Sequence, residues 1–67
     1  MRNRNFIEGV NIIAKYIPES EKDGWSLAAE HDQIWFGSDE YDMTIEDTNR
    51  LNELGWFTDT DSWCCNA

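Results

Sequence analysis

The chain is short of most of what small catalytic or metal-bound domains are built from. Its 67 residues hold one histidine, one proline, four glycines, two cysteines and five basic side chains. One histidine, His31, excludes a multi-histidine metal centre. The glycines, at positions 9, 24, 37 and 55, are too scattered to form a loop that cradles phosphate. Cys64 and Cys65 are adjacent, a spacing that strains a mutual disulfide and is not the C-x-x-C clip that closes on zinc. No run approaches the about 20 apolar residues that cross a bilayer. The stretch "MRNRNFIEGVNIIAKYIPES" interrupts its apolar positions with charges and asparagines, unlike a signal peptide. The expected location is therefore the cytosol, with both thiols reduced and no membrane partner.

The scarcity of basic residues is uneven. Residues 1–16 carry Arg2, Arg4 and Lys15 against Glu8, a balance of +2, whereas residues 17–67 set thirteen acids against Lys22 and Arg50, a balance of -11, for a net charge of -9. Such a chain repels nucleic acid and anionic membrane, and attracts basic surfaces over about 8 Å at physiological salt.

What is present is aromatic: four Trp, three Phe and two Tyr. Side chains that each bury on the order of 150–250 Å² give a single domain, residues 1–67, enough core without metal or disulfides. Phe6, Val10, Ile13 and Ile17, widened by Ile12 and Tyr16, recur at helical spacing and predict a helix over 6–16, capped by Asn5 with Glu8 and ended by Pro18. "ESEKDG" reads as a polar connection. Trp25, Leu27 and Ala29 alternate with polar or small residues, and "QIWFG" is rich in strand formers, so a hairpin is expected to pivot near Glu30-His31-Asp32. Thr44 is a good helix N-cap three residues before Asp47, and Gly55 suits the left-handed ending of the same helix, with Trp56 packing back on Leu51. Ile45, Leu51 and Leu54 are expected to face the core. "WFTDTDSWCC" predicts a last hairpin, with Trp56, Thr58, Trp63 and Cys65 available to alternate across the pair. The expected fold is α+β, a small antiparallel sheet of three to four strands with two helices on one face, in the order α-β-β-α-β-β.

Three groups of residues are candidates for function. Glu30, His31 and Asp32 include ligand types that zinc accepts, and a histidine between carboxylates is a candidate acid/base group. Alternate strand neighbours point apart, however, and no nucleophile, phosphate loop or pocket accompanies them, so a bend with polar side chains fixing the backbone is favoured over metal or acid/base chemistry. No cofactor, metal or catalytic residue is expected. The second group is acidic: Asp39, Glu40, Asp42, Glu46 and Asp47 in one stretch, Asp59 and Asp61 in another. Carboxylates gathered on one edge can imitate a nucleic-acid backbone and occupy the Arg and Lys sites that phosphates would fill. The third is aromatic: Trp35, Tyr41, Phe57 and Trp63 cannot all be interior in so small a domain, and exposed tryptophans, with Trp35 and Trp63 the candidates, anchor protein interfaces.

The combination of "AAEHDQIWFG", an acidic helix ending "LNELGWF" and the late tryptophan of "DSW" resembles a group of small acidic phage and prophage proteins, mostly uncharacterised. The resemblance spans roughly residues 25–63, and A-E-H-D followed by L-x-x-L-G-W carries it; the chain departs by ending Cys64-Cys65-Asn66-Ala67 where an apolar strand is expected. It implies a phage-encoded accessory protein, from the population that includes anti-CRISPR and anti-restriction inhibitors, and supplies no catalytic residues. The function expected is a non-enzymatic inhibitor or modulator binding a basic surface on a host protein, itself nucleic-acid-binding, by charge mimicry and aromatic anchoring. The alternative is a small structural or assembly protein that self-associates as a homodimer; a zinc or redox-linked protein built on His31 and the cysteines is a third.

Overall fold

A computed structural model describes residues 1–22 and 28–66, so the expected alternation of Trp25 with Leu27 and the turn at Gly24 lie outside the described residues. The first helix, α1, runs Asn3–Ala14 with Arg2 at its N-cap and no side-chain cap bond, so the anticipated Asn5–Glu8 capping box does not form. Glu8 instead takes a two-pronged hydrogen bond from Arg50, at 2.6 and 3.0 Å, and Asn3 to Asn5 simply continue the helix. After Ala14 the chain tightens, with the Lys15, Tyr16 and Ile17 N–H groups bonding three residues back. Pro18 then opens a single helical turn, α2 (Glu19–Lys22), where a polar connection was expected. Proline's fixed φ suits a helix start, and Glu19 and Glu21 favour the positive end of the dipole. The order is thus α-α-β-β-α-β-β, with three helices rather than two among the described residues.

Four strands follow: β1 (Ala28–Glu30), β2 (Gln33–Ser38), β3 (Phe57–Asp59) and β4 (Ser62–Asn66), joined as one antiparallel sheet in the order β1-β2-β4-β3. Each hairpin closes through two residues with positive φ: His31 (50°) and Asp32 (69°) in the first, Thr60 (52°) and Asp61 (61°) in the second. Two left-handed residues between paired strands make a type I′ turn, whose twist matches the strands but which normally takes Asn-Gly. The bend expected at Glu30-His31-Asp32 is therefore present, built without glycine. Between Trp35↔Cys64 and Ser38↔Ser62, three steps along β2 match two along β4, which is a β-bulge. Gly37 sits in it with φ 84°, where a Cβ would lie 2.4 Å from Ile13 Cγ2.

Between the hairpins lies α3 (Ile45–Leu54). The Thr44 side chain accepts from the Asp47 N–H at 3.2 Å, and the far end closes as anticipated. Trp56 N–H donates to Leu51 O (2.9 Å) and Gly55 N–H to Asn52 O (3.1 Å), the two bonds of a Schellman ending. Leu51 and Leu54 are buried, but Ile45 is 79% exposed, which corrects its expected place in the core. At 100° per residue, position 45 lies about 120° around the helix from Leu51, off the inward stripe.

The core joins Ile13, Leu51, Leu54, Trp56, Trp63 and Cys65, with Phe6, Val10, Ile12, Ile34, Phe36, Tyr41 and Met43 packed on it. Helices α1 and α3 thus cover the side of the sheet that carries Ile34, Phe36, Trp63 and Cys65. The Trp56 indole lies against α1, stacked on Phe6 with centroids 5.9 Å apart, and donates Nε1–H to Asn5 O at 3.3 Å. Only glycine fits at position 9 beneath it, because a Cβ there would come 1.9 Å from Nε1.

Candidate functional site

The hairpins point their turns to opposite ends of the sheet, since β2 and β4 are antiparallel neighbours. At one end, Ser38 pairs with Ser62, and the Asp39 N–H donates to Asp61 O at 3.2 Å. This places Asp39 and Glu40, which follow β2, beside Asp61 of the second turn, at the end of the sheet where Asp59 closes β3. Ser38 Oγ accepts from the Glu40 N–H at 3.0 Å, and Ser62 Oγ donates to Gly37 O at 2.9 Å, so backbone bonds brace the meeting point. Asp42 and the first turn of α3, with Glu46 and Asp47, continue from the same loop. Two acidic segments about 20 residues apart in the chain thereby share one end of the molecule.

Their side chains are not equivalent. The ion pairs among the described residues include Lys15–Asp47 at 3.0 Å, Arg50–Glu8 at 2.6 Å and Arg50–Glu53 at 3.6 Å. Asp39, Glu40, Asp42, Glu46, Asp59 and Asp61 take part in none of them. Asp47 belongs to the framework instead: its Oδ2 accepts from the Tyr16 hydroxyl at 2.5 Å and from Lys15 Nζ at 3.0 Å, tying the end of α1 to the start of α3. The Tyr16 hydroxyl bond, then that from Lys15, holds the Asp47 carboxyl below the ordinary aspartate range, and the same pairing raises Lys15. Glu8 is likewise lowered by its hydrogen bond from Arg50.

His31 and Asp32 lie at the other end, with the pair Gln33↔Asn66 and the start of α1. Glu30 pairs with Gln33 at the base of that turn. These three candidates are therefore separated from the acidic end by the length of the sheet. A small cavity of about 280 Å³ opens there, lined by Met1, Asn3, Phe6, Ile34, Cys65 and Asn66. Burial pushes the Cys65 thiol up, so it stays protonated and a weak nucleophile. Among the described residues, no group of three His, Cys, Asp or Glu side chains could hold a metal ion. Nor is any of their helices long and apolar enough to cross a membrane.

The aromatic candidates divide by sheet face. Trp63 is 5% exposed and sits in the core, so it offers no contact surface. Trp35 is half-buried on the side away from α1 and α3. The register aligns Ala28, Trp35, Cys64 and Phe57 in one row across all four strands of that side. Sequence reasoning noted Phe57 as a surplus aromatic but not this alignment with Cys64. The signal was the alternation of Phe57 with Asp59 and of Ser62 with Cys64, which becomes readable once β4 is known to lie between β2 and β3.

No protein-family description, curated protein or solved structure matches the chain.

Proposed function

We propose that this protein is a non-enzymatic inhibitor or modulator of a nucleic-acid-binding host protein, such as a CRISPR or restriction component, and that its acidic end occupies a basic surface there. The reading keeps the phage accessory role that the resemblance implies. Its chief support is the juncture at Asp39 N–H and Asp61 O, which puts the unpaired carboxylates of two segments on one end. Exposed carboxylates brought to one end by backbone pairing meet arginine or lysine without first having to be gathered, so they serve as a stand-in for phosphates.

The test is a pull-down from host lysate with tagged protein, washed at low and then high salt, beside a variant carrying Asp39→Lys, Glu40→Lys, Asp42→Lys and Asp61→Lys. Asp47 is spared because it braces the helices. The expected result is one nucleic-acid-binding protein, released by salt and absent from the variant. Capture of that protein by the variant with unchanged salt dependence overturns the mimicry.

A further inference from the structure

We propose that the open face of the sheet is a docking platform for a short partner segment carrying an aliphatic side chain flanked by lysine or arginine, anchored on Trp35 and Phe57 with Asp59 receiving the charge. The inference rests on the reading of a basic protein partner and names the contact that gives it affinity.

Three features of the face carry it. Trp35, Cys64 and Phe57 stand in register on adjacent strands, which sets the two aromatics about 10 Å apart with the small thiol side chain between them. Trp35 and Phe57 are half-buried while Cys64 has no accessible surface, so the row is partly open above a closed floor. Among the described residues, no helix joins the core from this side.

The charge on the face selects the partner. At its described positions, which include Gln33, Trp35, Phe57, Asp59, Ser62 and Cys64, the charged side chain is Asp59, an acid. Asp59 follows Phe57 by two residues on the same strand and side. Its carboxylate adds to burial in pushing the neighbouring Cys64 thiol up, consistent with that placement. Lys15 and Arg50 are spent on α1 and α3, at Asp47, Glu8 and Glu53. A second copy at net charge -9, or a nucleic acid, would bring like charge to this face. An aliphatic side chain between basic ones brings opposite charge to Asp59 and apolar surface to the rings. Tryptophan at the centre of a contact with charge at its rim is the arrangement in which a few residues carry most of the affinity.

The probe is the acetylated peptide KKLVLKK, titrated into isotopically labelled full-length protein and read by the Trp35 indole N–H and the Phe57 and Cys64 amides. The comparison peptides are EELVLEE and KKSGSKK. Saturable shifts of the row with KKLVLKK, none with EELVLEE, and shifts confined to residues 39–42 and 59–61 with KKSGSKK are expected. Trp35→Ala is expected to weaken KKLVLKK about tenfold. The wild-type shifts decide the matter if that variant does not fold. Row signals unmoved by KKLVLKK, moved equally by EELVLEE or by oligothymidylate, or moved by dilution of the protein alone overturn the platform; the last would assign it to a second copy. Loss of the lysate partner on charge reversal at residues 39–42 and 61, with a silent row, sinks this inference and leaves the proposed function standing. A responsive row with a salt-insensitive lysate partner sinks the mimicry and leaves the platform.

Discussion

Cys64 and Cys65 are neighbours of one residue type, each without accessible surface, yet they belong to opposite sides of the sheet. Cys65 lies under α1 and α3 with Trp63, Leu51 and Ile13. Cys64 lies between Trp35 and Phe57 on the side those helices leave open. The pleat alone makes this difference, because successive strand residues face opposite ways. It teaches that hydrophobic content does not identify the core: the two tryptophans that flank the bulge register, Trp35 and Trp63, are equally apolar and have different fates.

The largest expected contrast is between those two residues. Trp63→Ala should cost about 3–5 kcal/mol, the range for emptying a packed aromatic site, whereas Trp35→Ala, removing a half-buried ring, should cost roughly 1–2 kcal/mol. Urea unfolding of the two variants measures it, and equal losses would mean that the open face is as tightly packed as the covered one.

A smaller effect sharpens the comparison by acting on neither face. Thr60 and Asp61 hold left-handed backbone that costs a non-glycine residue roughly 1–2 kcal/mol, and a β-branched threonine is especially ill suited to it. Replacing the pair by Asn-Gly should raise stability by about 1 kcal/mol while leaving the emission of the tryptophans on both faces unchanged. The same exchange at His31 and Asp32 should gain a similar amount, and a loss at either turn would mean that its side chains contribute more than the backbone strain costs.

The smallest effect concerns what seats the helices on the covered side. Asp47 has a folded-state pKa below its unfolded value, owing to Tyr16 and then Lys15. Its contribution is therefore complete above the ordinary aspartate pKa of about 3.9 and is lost as pH falls through the lower, folded value. Asp47→Asn should lower stability at neutral pH and flatten its decline below about pH 4, with Glu8, lowered by its hydrogen bond from Arg50, supplying the residual slope. Because the groups lie near water, the change is small. An acid limb of unchanged steepness in chemical denaturation across pH 2–7 would remove this clamp from the account of helix seating.

The elements that sequence reading placed well are those closed by local bonds. Helix α3 was legible at both ends because Thr44 caps within three residues and Gly55 and Trp56 bond back within five. The turns were legible in position but not in type, since His-Asp and Thr-Asp lack the glycine that signals a type I′ turn. Ile45 misled because an apolar residue just inside a cap looks inward until its angle around the helix is counted. The Asn5 cap misled because the better partner for Glu8, Arg50, is 42 residues away.

The candidate site divides along the same line. Composition set the charge imbalance, and hence which partners are repelled, because net charge is independent of folding. Whether the acids meet depended on β2 lying beside β4, which brings Asp39 to Asp61 across 22 residues. Which aromatics are covered depended on the pairing of Trp35 with Cys64 and of Thr58 with Trp63. Both are settled by long-range strand pairing, where a side-chain period of two turns a single-residue slip into an exchange of faces.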